Sequence, residues 1–179
     1  MKKIFSAFIL IFILCIAQIS FAAPQLNYQV HIQNYGWLNA VHDGEIAGTV
    51  GKSLRLEAVL INLMDGTKNM IRYSAHVQNI GWQEWQNSGS VAGTTGKNLR
   101  MEAIRIELLG AYAKNFDIYY RTHVENGGWL GWAKNGAPAG TQGASLRMEA
   151  LQIKIVPKGS KFNTGGPCFI LKKNVMPVI

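Results

Sequence analysis

The chain has 179 residues, a formal net charge of +8 and only two cysteines. No basic run exceeds the Lys172-Lys173 pair, which argues against a nucleic-acid interface, whereas a moderate positive charge suits acidic polymers or headgroups through long-range attraction. With Cys15 in an apolar leader, Cys168 stands alone in the remainder, so an intramolecular disulfide framework is excluded.

The chain opens with "MKKIFSAFILIFILCIAQISFAAPQ", in which Lys2 and Lys3 precede an uncharged apolar run and the small residues Ser20, Ala22 and Ala23 follow it. This is the layout of a secretory signal peptide over residues 1–22, cut after Ala22. The expected destination is extracellular or cell-surface, and losing the two lysines lowers the charge by two. A retained anchor is the rival reading, because Ile4 to Ala23 approaches the ~20 residues that span a bilayer. Ile13 and Leu14 do not supply the small residue that a lipid-modified Cys15 would need.

From residue 26 to 156 one unit is written three times, over about 26–64, 70–109 and 117–156. "QNYGWLNAVHDGEIAGTVGKSLRLEA" at 33–58 is followed by "QNIGWQEWQNSGSVAGTTGKNLRMEA" at 78–103 and "ENGGWLGWAKNGAPAGTQGASLRMEA" at 125–150. Trp37, Trp82 and Trp129 are equivalent, as are His31/His76/His123, Arg55/Arg100/Arg147, Glu57/Glu102/Glu149 and four columns of glycine.

Each unit reads as strands. In "YQVHIQN" Tyr28, Val30 and Ile32 alternate with Gln29, His31 and Gln33, the period of a half-buried strand. "LRMEAIRIEL" alternates too, but Leu99 and Met101 fall on one parity and Ile104, Ile106 and Leu108 on the other. A β-bulge at the Glu-Ala pair would restore one buried face; the alternative is a strand covered on both faces. Between these strands lies a turn, a short strand and a glycine-rich loop. The fold class expected is all-β. Three copies satisfy the usual minimum for a shared core. Short connectors suggest a hairpin across each unit boundary, and pairing of the last strand of unit 3 beside the first of unit 1 would close the edges. The body expected is a closed, pseudo-threefold β-prism, chosen over a β-trefoil because three strands per unit are visible. Residues 157–179 match no repeat column, and Pro157, Gly159, Gly165, Gly166 and Pro167 argue for an irregular tail.

The first tryptophan of each unit recurs in all copies after a glycine, as expected for a large ring in a repeated core position, with Trp37, Trp82 and Trp129 kept as further candidates for ligand contact. The second, Trp85 and Trp132, is replaced by Ala40 in unit 1, so these two are expected to be exposed platforms for sugar rings. His31, His76 and His123 could converge on a threefold axis, but no carboxylate or cysteine joins them at ligand spacing, so no metal is expected; they should face outward or into a polar layer between sheets, bonded to a neighbouring strand or to ligand. The pairs Arg55/Glu57, Arg100/Glu102 and Arg147/Glu149 read as salt bridges that pin the glycine-rich loop. Three equivalent glutamates beside arginines lack the asymmetry that acid and base roles require, so neither an enzyme nor a cofactor is expected.

The recurring Gly-Trp, the "AGTxGxxLRxEA" phrase and a spacing of about 45 residues, within the range for tandem repeats, resemble the clostridial hydrophobic repeats with a recurring tryptophan, called ChW repeats. That resemblance implies an exported protein of a Gram-positive bacterium that binds polysaccharide or protein at the cell surface. It brings no catalytic residues. The partner expected is an extracellular polysaccharide or cell-wall polymer, or else a surface protein through an adhesion role. No nucleic acid and no membrane insertion after leader cleavage are expected.

Overall fold

A computed structural model describes residues 22–172. The proposed leader therefore lies outside the described residues except for Ala22, as do residues 173–179.

Unit 1 consists of β1 (Leu26–Ile32), β2 (Gly36–Trp37), β3 (Val41–His42), β4 (Ile46–Gly48) and β5 (Leu56–Leu63). Unit 2 repeats the order with β6 (Ile71–Val77), β7 (Gly81–Trp82), β8 (Gln86–Asn87), β9 (Val91–Gly93) and β10 (Met101–Leu108). After a short helix, α1 (Gly110–Asn115), unit 3 supplies β11 (Phe116–Val124), β12 (Gly128–Trp129), β13 (Ala133–Lys134), β14 (Ala139–Gln142) and β15 (Met148–Pro157). A last strand, β16 (Phe169–Leu171), lies in the tail. The all-β class is as expected, but each unit holds five strands where the sequence suggested three. The additional ones are two-residue pieces, too short to display a period of their own.

Alternation builds the long strands. Leu26, Tyr28, Val30 and Ile32 of β1 are buried while Asn27, Gln29 and His31 are partly exposed. The β1–β5 register jumps from His31↔Ala58 to Ile32↔Leu56, leaving Glu57 as the extra residue of a bulge. Glu102 and Glu149 occupy the same bulge in β10 and β15. The bulge is why Leu56 shares a buried face with Val59, Ile61 and Leu63 despite opposite parity. The turn before each Gly-Trp is also common to all units: Asn34, Asn79 and Asn126 have φ of 69, 62 and 57°. Asparagine tolerates this left-handed conformation because its short polar side chain can bond locally.

The expected hairpins across unit boundaries do not form. Each long pair lies within one unit, β1 with β5, β6 with β10 and β11 with β15. The connectors lead from one such sheet to the next. Between units it is a short strand that is exchanged: β9 adds to β5, β14 to β10 and β4 to β15. Unit 3 thus reaches unit 1 through β4 and not through β1. Three sheets result, of five, six and five strands, and their inner faces share one apolar core.

Tyr28, Tyr73 and Tyr120, all 0% exposed, tie these sheets together. The Tyr73 hydroxyl donates to the Ser90 carbonyl of its own unit and accepts from the Ile61 N–H of unit 1 at 3.1 Å. Tyr28 likewise donates to Glu45 O and accepts from Ile153 N–H at 3.1 Å. Burial pushes Tyr73 up to about 12, against the lowering effect of its bonds to Ile61 and Ser90, and raises Tyr28 and Tyr120 further.

Residues 158–168 of the tail are irregular, but the described part of the tail is docked. β16 runs parallel to β14, and Phe162 stacks on Tyr119 at 3.9 Å between ring centroids.

Candidate functional site

A bulge re-aims a side chain, and here it turns the glutamate into a cluster at each seam between units. Glu57 is only 4% exposed, and burying a carboxylate is costly unless it is paired. Arg55 supplies the pairing, with Nε at 2.9 Å and Nη2 at 2.7 Å from Oε1. On the other oxygen stands His31, its Nδ1 3.0 Å from Oε2. Arg100, Glu102 and His76 repeat this in unit 2, and Arg147, Glu149 and His123 in unit 3, with imidazole contacts of 3.2 and 3.1 Å. The three Nδ1 atoms are buried and close to the carboxylates but without an aligned hydrogen bond.

Each imidazole in turn forms a T-shaped pair with the tryptophan on the facing short strand. Centroid separations are 5.5, 5.4 and 5.5 Å for His31–Trp37, His76–Trp82 and His123–Trp129, with the planes at 84, 77 and 83°. This is the edge-to-face arrangement favoured by aromatic pairs. A chain of contacts therefore runs from guanidinium to carboxylate to imidazole to indole, and ends at the surface.

The expectation that the first tryptophans fill the core is overturned. Trp37 is 38% exposed, Trp82 and Trp129 are half-buried, and the large buried rings are the tyrosines. The indoles belong to two-residue strands that flank the end of β1, β6 or β11, where they cover the histidine face, which points away from the core.

Nor are Trp85 and Trp132 bare platforms. Both are half-buried, and each has a guanidinium over its ring. Arg105 lies 4.8 Å from the Trp82 centroid and 4.2 Å from that of Trp85, so it is slotted between them. Arg121 stands 4.7 Å from both Trp129 and Trp132. Arg72 adds a second cation over Trp85 at 4.6 Å. Trp132 is further covered by the tail, with Phe162 at 5.2 Å between ring centroids in a T-shaped pair, and its backbone N–H donates to Thr164 O at 2.7 Å. A groove of about 390 Å³ remains beside it, lined by Arg121, Trp129, Trp132 and the tail around Gly165.

The two arginines come from opposite strands of the same cross-strand position: Arg105 of β10 faces Ser74, and Arg121 of β11 faces Gln152. Unit 1 has Gln29 facing Leu60 there, without arginine, and Ala40 in place of the second tryptophan. The repeat alignment does not single out Arg105 and Arg121, because they stand in different columns. The available signal is their company: a second tryptophan is present only in the units where one of those two columns holds arginine.

The bulge glutamates meet the glycine-rich segment of a neighbouring unit through the backbone, and Arg55 adds a side-chain contact. Thr94 N–H donates to Glu57 O at 2.7 Å, Thr49 N–H to Glu149 O at 2.9 Å, and Arg55 reaches Asn98 at 3.0 Å. Among the described residues no group of three or more His, Cys, Asp or Glu comes together, and the three histidines remain in separate units. Cys168 is a half-buried free thiol in the tail.

Fold and site together define an all-β protein of three tandem units, each with an Arg–Glu–His–Trp cluster at a seam. The sequence profile of ChW, Clostridial hydrophobic W, matches residues 31–65, 76–110 and 123–157, each match beginning at the cluster histidine, and the chain belongs to that family. No curated protein and no solved structure matches it.

Proposed function

We propose that the protein is a secreted, non-catalytic binding module that recognises a polysaccharide or cell-surface polymer through its repeated indole sites. The observation that carries this reading is the position of Trp37, Trp82 and Trp129. Three large aromatic rings stand at equivalent surface positions, each braced by a buried ion pair through a histidine, where packing alone would place such rings inside. Trp37, beside Tyr35 at 68% exposure, offers the most open ring for the apolar face of a sugar. The three glutamates hold equivalent ion pairs, which supports binding over acid–base chemistry.

In this account the one-way exchange of β9, β14 and β4 closes the three sheets into a pseudo-threefold prism, with one site per seam. Repetition then has a physical purpose, since linked weak sites raise avidity by about 10²–10⁴ without new contacts. A second reading, adhesion to a surface protein, is favoured by the exposed Tyr35 and Ile80 at the turns before the Gly-Trp strands. Pull-down from cell-wall fractions with sugar competition separates the two. Simple sugars should release a polymer binder; release by protease treatment of the fractions, with sugars without effect, would favour adhesion.

A further inference from the structure

Arg55, Arg72, Arg100 and Arg147 each pair with a glutamate. Among the described residues Arg105 and Arg121 make no ion pair, and these are the two slotted between tryptophans. The Nε of Arg105 is buried without a hydrogen-bond partner, and that of Arg121 is satisfied only by the neutral amide of Gln152 at 2.9 Å. A half-buried cation without a counter-charge is costly, and the same low-polarity surroundings strengthen its attraction for an incoming anion. Burial also lowers Arg121 from its ordinary value, as expected for a cation that no carboxylate compensates.

Stacking leaves the guanidinium edge as its remaining binding element. A planar guanidinium between two indoles suits an oxyanion, which can accept two parallel N–H bonds, with the indoles beside it for a sugar ring. We infer that units 2 and 3 each carry a subsite for the oxyanion of an acidic polysaccharide, centred on Arg105 and on Arg121, and that unit 1 carries none. Gln29, Leu60 and Ala40 remove both the cation and its second aromatic wall from unit 1. The module is thus bivalent for charge. The net positive charge of the chain works in the same direction at long range. The inference rests on the polymer-binding reading and narrows its ligand to sugars bearing a carboxylate or a phosphodiester.

Affinity electrophoresis of the exported chain in gels containing polygalacturonate, its fully methyl-esterified counterpart or poly(glycerol phosphate) tests it. The wild type should be retarded more by an acidic polymer than by the ester, and the two acidic gels tell carboxylate from phosphodiester. R105Q/R121Q should weaken acidic-polymer binding by about tenfold or more, the scale of a lost charged hydrogen bond, and weaken binding to the ester much less. A40W/L60R, which would rebuild the slot in unit 1, should strengthen acidic-polymer binding several-fold. Equal wild-type binding to acidic and esterified polymer would overturn the inference while leaving polymer recognition intact. Equal loss of both in R105Q/R121Q would make the arginines between the tryptophans a structural brace and overturn it too, as would no gain from A40W/L60R. Retardation by no polymer would remove the underlying reading as well.

Discussion

A methyl group placed on Gly93 would lie 2.4 Å from the carbonyl oxygen of Glu57. The short strand of unit 2 touches the bulge of unit 1 at this point, and φ of +103° adds a conformation that side chains rarely adopt. Gly93→Ala should therefore destabilise by about 3 kcal/mol or more, combining backbone overlap with left-handed strain. Gly96, at φ +70° with open space around its Cα, is the control: Gly96→Ala should cost only about 1–2 kcal/mol. Urea denaturation of both variants measures the difference.

Tyr73→Phe removes one oxygen that serves two backbone groups, Ser90 O and Ile61 N–H, in different units. Leaving them buried and unpaired should cost about 1–3 kcal/mol. Thermal melting checks this, and the loss should appear in the single transition of the whole body.

Alkaline pH acts on the same tyrosines. Their folded values are raised, chiefly by burial, to about 12 for Tyr73 and higher for Tyr28 and Tyr120. The unfolded chain loses these protons first, near the ordinary tyrosine value of about 10. Stability is therefore fully present below that value and should fall as pH rises through 10 toward 12. Ultraviolet titration should show phenolate absorbance from these residues arriving together with unfolding.

Removal of residues 116–172 strips β14 from β10 and the β15 partner from β4. In a closed prism the two remaining units should lose their cooperative melt. A two-unit variant that melts cooperatively at the wild-type temperature would favour an open array.

The bulge at Glu57 is legible in the sequence, because Leu56 and Val59 fall on opposite parity and only an extra residue lets both be buried on one face. Partner choice is not. β5 and β6 adjoin in sequence and read as a hairpin, yet β5 pairs with β1 and β9, since alternation marks a strand's buried face and not its neighbour. The place of the tryptophans is hidden for a related reason: recurrence of Trp37, Trp82 and Trp129 marks a shared role without saying which, and that role is to cover a histidine at the surface. Arg105 and Arg121 share one cross-strand position but sit in different repeat columns, so their equivalence emerges only once β6 lies against β10 and β11 against β15.

Polymer retention of Trp37→Ala, Trp82→Ala, Trp129→Ala and the triple variant, measured beside their thermal melts, tests the role of the surface indoles most directly. Each single change should cost about 1–2 kcal/mol, below the ~3–5 kcal/mol of a buried aromatic, because none of these rings lies in the core. The singles should weaken retention in an affinity gel, and the triple variant should melt cooperatively yet migrate as if no polymer were present. A folded triple variant retained like the wild type, or single variants that lose stability on the scale of core residues, would contradict the account.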